Sequence, residues 1–390
     1  MLAVDSRLAT TVLQDLIRIP SVNPDLVSGA EGETQIAGYI ADKLRGWGLA
    51  VQVQETAERR PNVIATLKGS GGGRTLLFNG HMDTVGVEGM AEPYSGKVRD
   101  GRVYGRGAID MKGSLAATMA ATKGLIDGGP TLRGNVIFTY VTDEEYASVG
   151  TTAIADDIRQ GRLPRPDGAV NTEATGLRVG VGHKGFVWLE VVTEGKAAHG
   201  SRPDLGVDAI THMGKVLVEL GRLQERLTTG DRHPLLGVGS VHASLVDGGR
   251  EMSSYPDHCT LKLERRTVPP ETADGVADEL KQIVFRLSTE DPTFRARSRV
   301  TLVRNPWQAD PRSEIVRTTA AAIEAVTGEP AETMTTTGWL DSALLGEAGI
   351  PTVICGPCGE GLHAAVESID VASLGTCAEV YAEIIQQFCS

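Results

Sequence analysis

Apolar and polar residues alternate along the first third of the chain in a way that predicts helices and strands in turn. Apolar residues recur at helical spacing over residues 5–18 and 31–47, and an alanine-rich helical stretch spans residues 113–126. Short apolar runs bounded by turns predict three buried strands, at residues 62–67, 75–78 and 135–141. This alternation favours an α/β layer whose strands are covered on both faces.

The pattern changes near Gly180. Strand and helix signals then follow one another in the order β-α-β-β-α-β, at residues 186–192, 204–227, 237–245, 259–265, 272–287 and 294–303. That order is typical of a split βαβ sandwich, which folds as a unit of its own. After Asn305 the α/β style resumes with a helix, a buried strand and a closing helix, at residues 313–326, 352–355 and 371–388.

In chain order, these elements predict an α/β domain with an α+β domain inserted into it. The α/β domain, built on a mixed sheet, comprises residues 1–180 and 305–390, and the inserted ferredoxin-like domain comprises residues 181–304. The chain length of 390 residues agrees with this division, because a typical domain has about 150 residues. We therefore expect two domains, one of them discontinuous.

The composition is that of an ordinary globular protein, with 41% hydrophobic and 23% charged residues. Asp and Glu number 50 against 38 Lys and Arg, and the net charge of −12 is spread along the chain. Nucleic acids and anionic membrane surfaces are therefore not expected partners. No apolar run reaches the roughly 18 residues of a membrane span. Five cysteines in a chain without an export signal predict reduced thiols and a cytoplasmic location.

A histidine and an aspartate lie two residues apart at the end of a predicted buried strand. Residues 80–85 read GHMDTV, so that His81 and Asp83 follow the strand and point to the same side. Open α/β sheets bind ligands at this end of their strands. A histidine there can bind a metal while a carboxylate orients its ring, although a turn histidine beside a capping aspartate fits the motif equally well.

Three further acidic positions lie next to predicted strands or helix starts. Asp110, in residues 105–113 (GRGAIDMKG), precedes a helix, where an isolated aspartate would be interpreted as an N-cap. Glu144 and Glu145 lie in the TDEE run after a buried strand, where neighbouring carboxylates repel one another unless a cation or a proton neutralises them. A solvated run of charges is the alternative interpretation of that segment.

Two more candidates, Glu173 and His363, follow the apolar residues 169–170 and 352–355. Because each candidate comes just after an apolar β run, a single sheet would bring them all to one edge. Two histidines and three carboxylates suit two zinc ions, with one histidine and one terminal carboxylate on each ion and Asp110 shared between them. Glu144 is then left over as the general base that a hydrolase needs.

The ordered motifs GHMDTV, GRGAIDMKG, TDEE, NTE and GLHAAVE resemble those of a family of di-zinc amidohydrolases and exopeptidases. This family includes acetylornithine deacetylase, succinyl-diaminopimelate desuccinylase, aminoacylase and carboxypeptidase G, and the resemblance covers essentially the whole chain. It implies a zinc-exopeptidase-like catalytic domain with a cis peptide bond after Asp110. The implied roles are one zinc ion on His81, Asp110 and Glu173, a second on Glu145, Asp110 and His363, Asp83 orienting His81, and Glu144 as general acid and base.

The same resemblance implies that the inserted domain is a lid through which two chains form a homodimer. His199, in the run KAAHGSRP, matches the lid histidine that stabilises the tetrahedral oxyanion in the active site of the other subunit. Arg266, in the run ERRTVP, matches the arginine that binds the substrate carboxylate. Without the resemblance, His199 would be interpreted as a turn residue.

Three places depart from the family pattern. Ser253 stands where relatives usually carry an asparagine that contacts the substrate. Lys184 replaces the arginine favoured in desuccinylases, which weakens a bidentate grip on a second carboxylate. The substrate loop at Gly338 and Trp339 carries a large apolar side chain in place of a Gly/Thr-rich sequence. These departures argue against a desuccinylase, and Trp339 favours an apolar side chain or acyl group in the substrate.

We therefore predict a zinc-dependent hydrolase, similar to acetylornithine deacetylase, that cleaves the amide bond of N-acyl-amino acids bearing a free carboxylate. The alternative is a dipeptidase or carboxypeptidase-type metallo-exopeptidase with the same chemistry. A catalytically silent metal-binding protein is a third interpretation, against which the presence of Glu144 and every metal ligand argues. Cobalt and manganese are alternative metals, because affinity alone does not fix metal identity.

Overall fold

The computed structural model describes residues 4–129 and 131–390, which divide into two compact units. Unit 1 contains the described residues up to Val181, together with Ala309–Met334 and Leu340–Ser390. Unit 2 contains Gly182–Gln308 and Thr335–Trp339. The boundaries between the units fall at 181/182 and 308/309, whereas the sequence patterns predict them at 180/181 and 304/305. The second boundary falls later because residues 307–308 form a short strand paired with residues 182–183.

The first part of the chain alternates helices and strands. Its helices are α1 (Ser6–Arg18), α2 (Thr34–Gly46), α3 (Gly113–Gly128) and α4 (Val149–Arg159). Its strands are β1 (Ala50–Ala57), β2 (Arg60–Leu67), β3 (Leu76–His81), β4 (Lys97–Arg99), β5 (Arg102–Tyr104), β6 (Val136–Val141), β7 (Gly168–Asn171) and β8 (Val179–His183). The sequence patterns do not predict β1, α4 or β8.

The middle and last parts of the chain complete the two units. The middle part contains β9 (Gly185–Glu194), α5 (Ala209–Thr229), β10 (Ser240–Gly248), β11 (His258–Thr267), α6 (Ala273–Glu290), β12 (Arg295–Arg304) and β13 (Trp307–Gln308). The last part contains α7 (Glu314–Thr327), β14 (Thr333–Thr336), α8 (Ser342–Glu347), β15 (Thr352–Ile354), β16 (Gly359–Glu360), β17 (Ser368–Asp370) and α9 (Val371–Cys389).

The main sheet of unit 1 has the strand order β1-β2-β6-β3-β7-β15-β8. Its central strands β6, β3, β7 and β15 run parallel, whereas β1, β2 and β8 pair with their neighbours antiparallel. Every residue of β3 and β6 is buried, as expected for apolar strands that are covered on both faces. The predicted mixed sheet is confirmed, and its parallel strands end at one edge.

Helices α1, α3, α7 and α9 of unit 1 pack against one another. Helix α3 is rich in alanine and almost entirely buried, which is typical of a helix that is apolar all round. Helix α1 begins after Asp5, whose side chain accepts hydrogen bonds from the backbone N–H groups of Arg7 and Leu8. Within the described residues, no helix is both long and apolar enough to cross a membrane.

Unit 2 is built on an antiparallel sheet of order β10-β11-β9-β12. Helices α5 and α6 pack on the face of this sheet that carries the inward residues Val187, Leu189 and Val191. The order β-α-β-β-α-β and this strand arrangement confirm the predicted α+β insertion. Helix α5 begins at Ala209, five residues later than its predicted start at 204, because Asp208 caps it by accepting a hydrogen bond from the N–H of Thr211.

Candidate active site

The parallel strands of the main sheet bring three candidate segments to one edge. His81 is the last residue of β3, the TDEE run follows β6, and Glu173 follows β7 by two residues. Since β3 lies between β6 and β7, the segments after these strands are neighbours in space. Ligand atoms of His81, Glu144 and Glu173 lie within 4.8 Å of one another.

The expectation that one sheet delivers every candidate is wrong for Asp110 and His363. Asp110 lies in the irregular turn Ala108–Lys112 before α3, and the strand that precedes it, β5, belongs to a separate sheet of order β16-β17-β5-β4. His363 lies in the loop between β16 and β17, with φ of 59°. The peptide bond between Asp110 and Met111 is cis, as the family resemblance implies.

Asp110 lies between the two candidate histidines. Its Oδ1 atom is 3.2 Å from Nε2 of His81, and its Oδ2 atom is 3.2 Å from Nε2 of His363. A terminal carboxylate also faces each histidine: Oε1 of Glu173 is 3.5 Å from His81 Nε2, and Oε2 of Glu145 is 3.2 Å from His363 Nε2. The five candidate ligands are therefore arranged as two imidazole and carboxylate pairs that share one aspartate.

Burial shifts the ionisation of the facing carboxyl groups. Burial raises the pKa of Glu144 well above its usual value, and the nearby charge of Glu173 adds to this increase. Burial likewise raises the pKa of Glu145 and raises that of Glu173 to about 8. Burial opposes the ionisation of Asp110 too, but hydrogen bonds from the two histidines outweigh it and hold the pKa of Asp110 low. Crowded buried acids of this kind are stabilised by a cation.

Asp83 lies behind His81, on the side away from Asp110. The Nδ1 atom of His81 is 3.0 Å from the backbone oxygen of Asp83 and 3.5 Å from its Oδ1. The same carboxylate accepts hydrogen bonds from the backbone N–H groups of Glu144 at 3.1 Å and Glu145 at 3.2 Å. A carboxylate in this position fixes which ring nitrogen of the histidine faces a metal.

A buried polar network supports Asp83, and the sequence patterns do not identify it. Asn23 donates to Asp83 at 2.8 Å and to Asp143 at 3.0 Å. Arg60 donates hydrogen bonds to Asp143 at 2.9 Å and to the fully buried Glu33 at 2.8 Å. The acids close to the candidate metal centre are thus connected to a buried guanidinium, which offsets part of their charge.

The outer face of the unit 2 sheet places two arginines beside one phenyl ring. Phe186 on β9 is paired in register with Arg266 on β11 and with Arg304 on β12. The guanidinium carbon of Arg266 lies 5.0 Å from the centre of the Phe186 ring. Glu264 accepts hydrogen bonds from Nε of Arg266 at 2.6 Å and from Nε1 of Trp188 at 2.8 Å. Arg266 is therefore held in place from two sides.

Two other predicted substrate residues, Trp339 and Lys184, also belong to unit 2. The Trp339 ring lies edge-on to Phe186 at 6.5 Å and beneath the guanidinium of Arg304 at 5.1 Å, while its Nε1 donates to the backbone oxygen of Asn305. Lys184 donates to the backbone oxygen of Val238 at 2.7 Å, and burial together with the nearby charge of Arg266 lowers its pKa. Gly338, next to Trp339, is exposed. Aromatic and cationic groups thus cluster on this sheet face.

The remaining predicted residues of unit 2, His199 and Ser253, lie close to each other. The backbone N–H of Gly200 donates to the backbone oxygen of Ser253 at 2.7 Å, and His199 forms an isolated bridge with Ser254. Nδ1 of His199 is 2.8 Å from Oγ of Ser201. His199 and Ser253 are both exposed, so the two predicted positions form one exposed patch on unit 2.

The sequence matches the pattern of peptidase family M20/M25/M40 over residues 77–387. The matched region contains every residue proposed above as a metal ligand. The chain belongs to this family. The predicted family, and with it a metallohydrolase of amide or peptide bonds, is therefore confirmed.

Three M20 relatives align with almost the whole chain. The chain is 26% identical to the N-formyl-4-amino-5-aminomethyl-2-methylpyrimidine deformylase of Halalkalibacterium halodurans, over 97% of this chain and 93% of the relative. It is 30% identical to the succinyl-diaminopimelate desuccinylase of Gluconacetobacter diazotrophicus, over 97% and 96%. It is 27% identical to the acetylornithine deacetylase of Proteus mirabilis, over 96% and 95%. None of these identities singles out one substrate.

A solved structure of a tripeptidase from Staphylococcus aureus has the same fold. Its TM-score is 0.80 at 21% sequence identity, and the match covers 99% of both chains. The likeness shows that this chain shares the fold of that structure over almost its whole length.

One further residue of this M20 chain was missed by the sequence analysis. Asp341, two residues after Trp339, is buried in unit 1, and its Oδ2 accepts a hydrogen bond of 2.5 Å from Thr151. Burial raises its pKa to about 6, and its charge contributes to the raised pKa of Glu144 and Glu173. An aspartate at the start of a short helix looks like a cap, so only the fold reveals that it lies near the acids.

Proposed function

We propose that the protein hydrolyses the amide bond of N-acyl-amino acids. The observation that carries this proposal is the position of Glu144. Its carboxyl group is buried beside His81 and Glu173, yet each histidine already faces Asp110 and one other carboxylate without it. The three relatives support the acyl-group chemistry, because their names describe a deformylase, a desuccinylase and a deacetylase.

We assign the five clustered ligands to two zinc ions. His81, Asp110 and Glu173 would hold one ion, and Glu145, Asp110 and His363 the other. The donor set fits, because zinc takes imidazole nitrogens and carboxylate oxygens. Among the described residues, the buried Oε1 atom of Glu145 has no hydrogen-bond partner, as expected of an atom that serves a cation. Zinc, or cobalt or manganese in its place, would polarise the scissile carbonyl group and lower the pKa of water.

We assign the proton transfers to Glu144. As general base it removes a proton from the attacking water, and as general acid it returns that proton to the leaving amine. A group that both accepts and gives back a proton works best when its pKa is close to the working pH, and burial shifts Glu144 in that direction. Asp83 holds the Glu144 backbone and the His81 ring at once, so we assign it a positioning role.

We assign unit 2 the roles of lid and dimerisation domain that the family resemblance implies. Arg266 would bind the substrate carboxylate with its planar guanidinium, and Lys184 would add a second positive charge. The partner subunit's His199 would donate to the oxyanion of the tetrahedral intermediate. Ser253 and Gly338 complete the substrate-contacting set. The support is that the Arg266 guanidinium donates to Glu264 and lies over the Phe186 ring, two contacts that position it.

We propose that the substrate carries an apolar, preferably aromatic, side chain or acyl group. The rings of Trp188 and Trp339 lie against Phe186, at centre-to-centre distances of 5.4 Å and 6.5 Å, and Arg266 lies over the same Phe186 ring. Rings in such a cluster offer a flat apolar surface next to the cation that would bind the carboxylate. A small, doubly charged substrate would gain little from this surface.

We propose that two chains form a homodimer through strand β10 of unit 2. This edge strand exposes Leu245 and Val246 by 65% and 61%, and Val218 on α5 is exposed by 57%. An exposed apolar edge strand tends to pair with another chain. The opposite edge strand, β12, instead carries four arginines that discourage pairing, at positions 295, 297, 299 and 304.

We propose that the protein is located in the cytoplasm. The support is that its five cysteines are all unpaired, and four of them are buried. Thiols of this kind persist in a reducing compartment.

The proposed reaction is tested by measuring amine release from a panel of substrates. The panel contains N-formyl-, N-acetyl- and N-succinyl-amino acids and matched dipeptides, each assayed with and without a chelator. We expect chelator-sensitive release from the N-acyl-amino acids, with aromatic members preferred. Release from dipeptides alone would favour the exopeptidase alternative, and release that survives chelation would contradict the proposed metal chemistry.

A further inference from the structure

Two of the five clustered ligands are not positioned by strands of the main sheet. His81 is the last residue of β3, and Glu173 follows the adjacent strand β7 by two residues. Asp110 and His363 lie instead in an irregular turn and in a loop. Pairing of β5 with β17 in the small sheet brings these two segments together. Asp110 and His363 lie outside the paired strands, however, so contacts made by the turn and the loop themselves set the distance between the two side chains.

The carboxylate of Glu367, four residues after His363, is attached to the turn that carries Asp110. Its Oε1 accepts hydrogen bonds from the backbone N–H groups of Ile109 at 2.9 Å and Asp110 at 3.1 Å. Its Oε2 accepts from the backbone N–H of Gly107 at 3.0 Å and from Nη1 of Arg106 at 2.7 Å. The side chain is fully buried. An ionised carboxylate can satisfy four donors in this way because it is purely an acceptor.

Arg106, which precedes the turn of Asp110, donates hydrogen bonds to the segments that carry His363 and Asp83. Its Nη2 donates to the backbone oxygen of Ala364, next to His363, at 3.2 Å. Its Nε donates to the backbone oxygen of Gly86 at 3.0 Å, three residues after Asp83. Arg106 and Glu367 are both buried. The ion pair they form therefore joins the segments of Asp110, His363 and Asp83.

We propose that the Arg106–Glu367 pair is a positioning pair that sets the distance between Asp110 and His363. The inference rests on the proposed function, because those two residues are assigned there as ligands of one zinc ion. Without the pair, the zinc site of Glu145, Asp110 and His363 loses the support of two of its three ligands. The site of His81, Asp110 and Glu173 keeps one ligand at the end of β3 and one directly after the adjacent strand β7, so the two sites respond differently.

The test compares Glu367→Gln with Glu360→Gln. Glutamine has the same shape as glutamate, but its NH2 group is a hydrogen-bond donor. In Glu367→Gln this group would face N–H groups that donate hydrogen bonds to the carboxylate in the wild type. Glu360 lies in the same segment, is 73% exposed and pairs with Arg102, so it is the matched control. Zinc is titrated into each metal-free protein in competition with a chromogenic chelator. We expect the wild type and Glu360→Gln each to bind two zinc ions, and we expect each site to have the same affinity in the one protein as in the other.

For Glu367→Gln, we expect one zinc ion to bind as in the wild type and the second to bind at least about tenfold more weakly, the range usual for residues that orient ligands. A merely structural role would lower the melting temperature and weaken both sites together, which would overturn the proposal. Two ions bound with unchanged affinity would also overturn it. A wild-type chain that binds no zinc would overturn the proposed function as well, so the two failures are distinguishable.

Hydrogen exchange of the metal-free proteins gives a readout that does not depend on zinc. We expect faster exchange of the Gly107, Ile109 and Asp110 amides in Glu367→Gln than in the wild type or in Glu360→Gln. Equal exchange would overturn the proposal. If Glu367→Gln does not fold, Arg106→Lys keeps the charge but not the three directed hydrogen bonds. It should weaken the second zinc site alone, and an unchanged second site would overturn the proposal.

Discussion

The Oδ1 atom of Asp83 accepts a hydrogen bond of 3.1 Å from the backbone N–H of Glu144. The same carboxylate lies 3.5 Å from the His81 ring and accepts a second backbone hydrogen bond from Glu145. One side chain thus positions the proposed base and two proposed ligands. This explains why Asp83 is buried completely while remaining ionised: hydrogen bonds and positive neighbours lower its pKa despite its burial.

Asp83→Asn should weaken metal binding and activity together. Asparagine keeps the size of the side chain, but its NH2 group is a donor. It would face an N–H group that donates a hydrogen bond to the Asp83 carboxylate in the wild type, so that hydrogen bond is lost. We expect zinc affinity to fall by about 10- to 100-fold, measured by chelator competition. Asp25→Asn removes an exposed partner of Arg60 and is the control. An Asp83→Asn protein with wild-type affinity would contradict the positioning role.

Glu144→Gln should abolish turnover and leave the metals bound. Loss of a general acid and base usually lowers kcat by about 10²- to 10⁴-fold, while the two histidine sites retain their carboxylates. The neighbouring substitution Glu145→Gln is the contrast, because it should reduce the zinc content. Elemental analysis and amine release on the same preparations distinguish the two residues. A Glu144→Gln protein that turns over at a near-normal rate would remove Glu144 from the mechanism.

Strongly apolar strands and the motifs that follow them could be predicted from the sequence. Strand β3 begins with the apolar run 76–78, and β6 is apolar except for Thr139. The polar residues at or just after the ends of these strands were correctly expected at one sheet edge. Strand β1 was missed because its apolar and polar residues alternate only over residues 51–54, and most of the strand is exposed.

The support of the site could not be predicted, because it depends on contacts between distant parts of the chain. Asn23, Arg60 and Asp143 meet only after folding. In the sequence, Asn23 and Arg60 look like ordinary loop or surface residues, and nothing connects either of them to Asp143 in the TDEE run. The same holds for the contact between Arg106 and Glu367, which are separated by 261 positions. Local patterns report periodicity and spacing, whereas these contacts are set by tertiary packing.

Trp339→Ala should narrow the difference between aromatic and small substrates. The ring lies against Phe186 and Arg304, and its loss removes apolar surface from the proposed substrate-binding cluster. We expect kcat/KM for an N-acetyl aromatic amino acid to fall about tenfold more than kcat/KM for N-acetylalanine. The alanine substrate serves as the control within the same protein. An equal fall for both substrates would show that Trp339 does not select the side chain.

Val246→Lys should separate the proposed dimer into single chains. The substitution places a charge on the exposed edge strand β10, where it opposes pairing with a second β10. Val300→Lys, on the opposite edge strand β12, is the matched control and should leave the assembly unchanged. Sedimentation velocity gives the mass of each protein. A Val246→Lys protein of the same mass as the wild-type dimer would place the interface elsewhere.

Glu33→Gln should change the pH dependence of stability. Burial, followed by the charge of Asp83, raises the pKa of Glu33 from 4.5 to about 7. Because the pKa in the folded state lies above that in the unfolded state, the contribution of this carboxyl group to stability is complete below pH 4.5 and is lost as the pH rises through 7. From pH 5 to pH 8, the free energy of unfolding of the variant should therefore rise relative to that of the wild type by more than about 1 kcal/mol.

This difference is measured by urea unfolding at both pH values with a chelator present, so that metal binding does not contribute. Glu31→Gln, an exposed position nearby, is the control. A difference between Glu33→Gln and the wild type that stays constant from pH 5 to pH 8 would mean that Glu33 does not hold a proton in the folded protein.

Stepwise addition of zinc to the metal-free protein, with zinc content and amine release measured at each step, tests the proposed site most directly. If Asp110 joins two ions and Glu144 acts beside them, the protein should bind two zinc ions per chain and activity should rise only as they bind. Full activity without metal, or a protein that binds no zinc at saturating concentration, would contradict the proposed site and reaction.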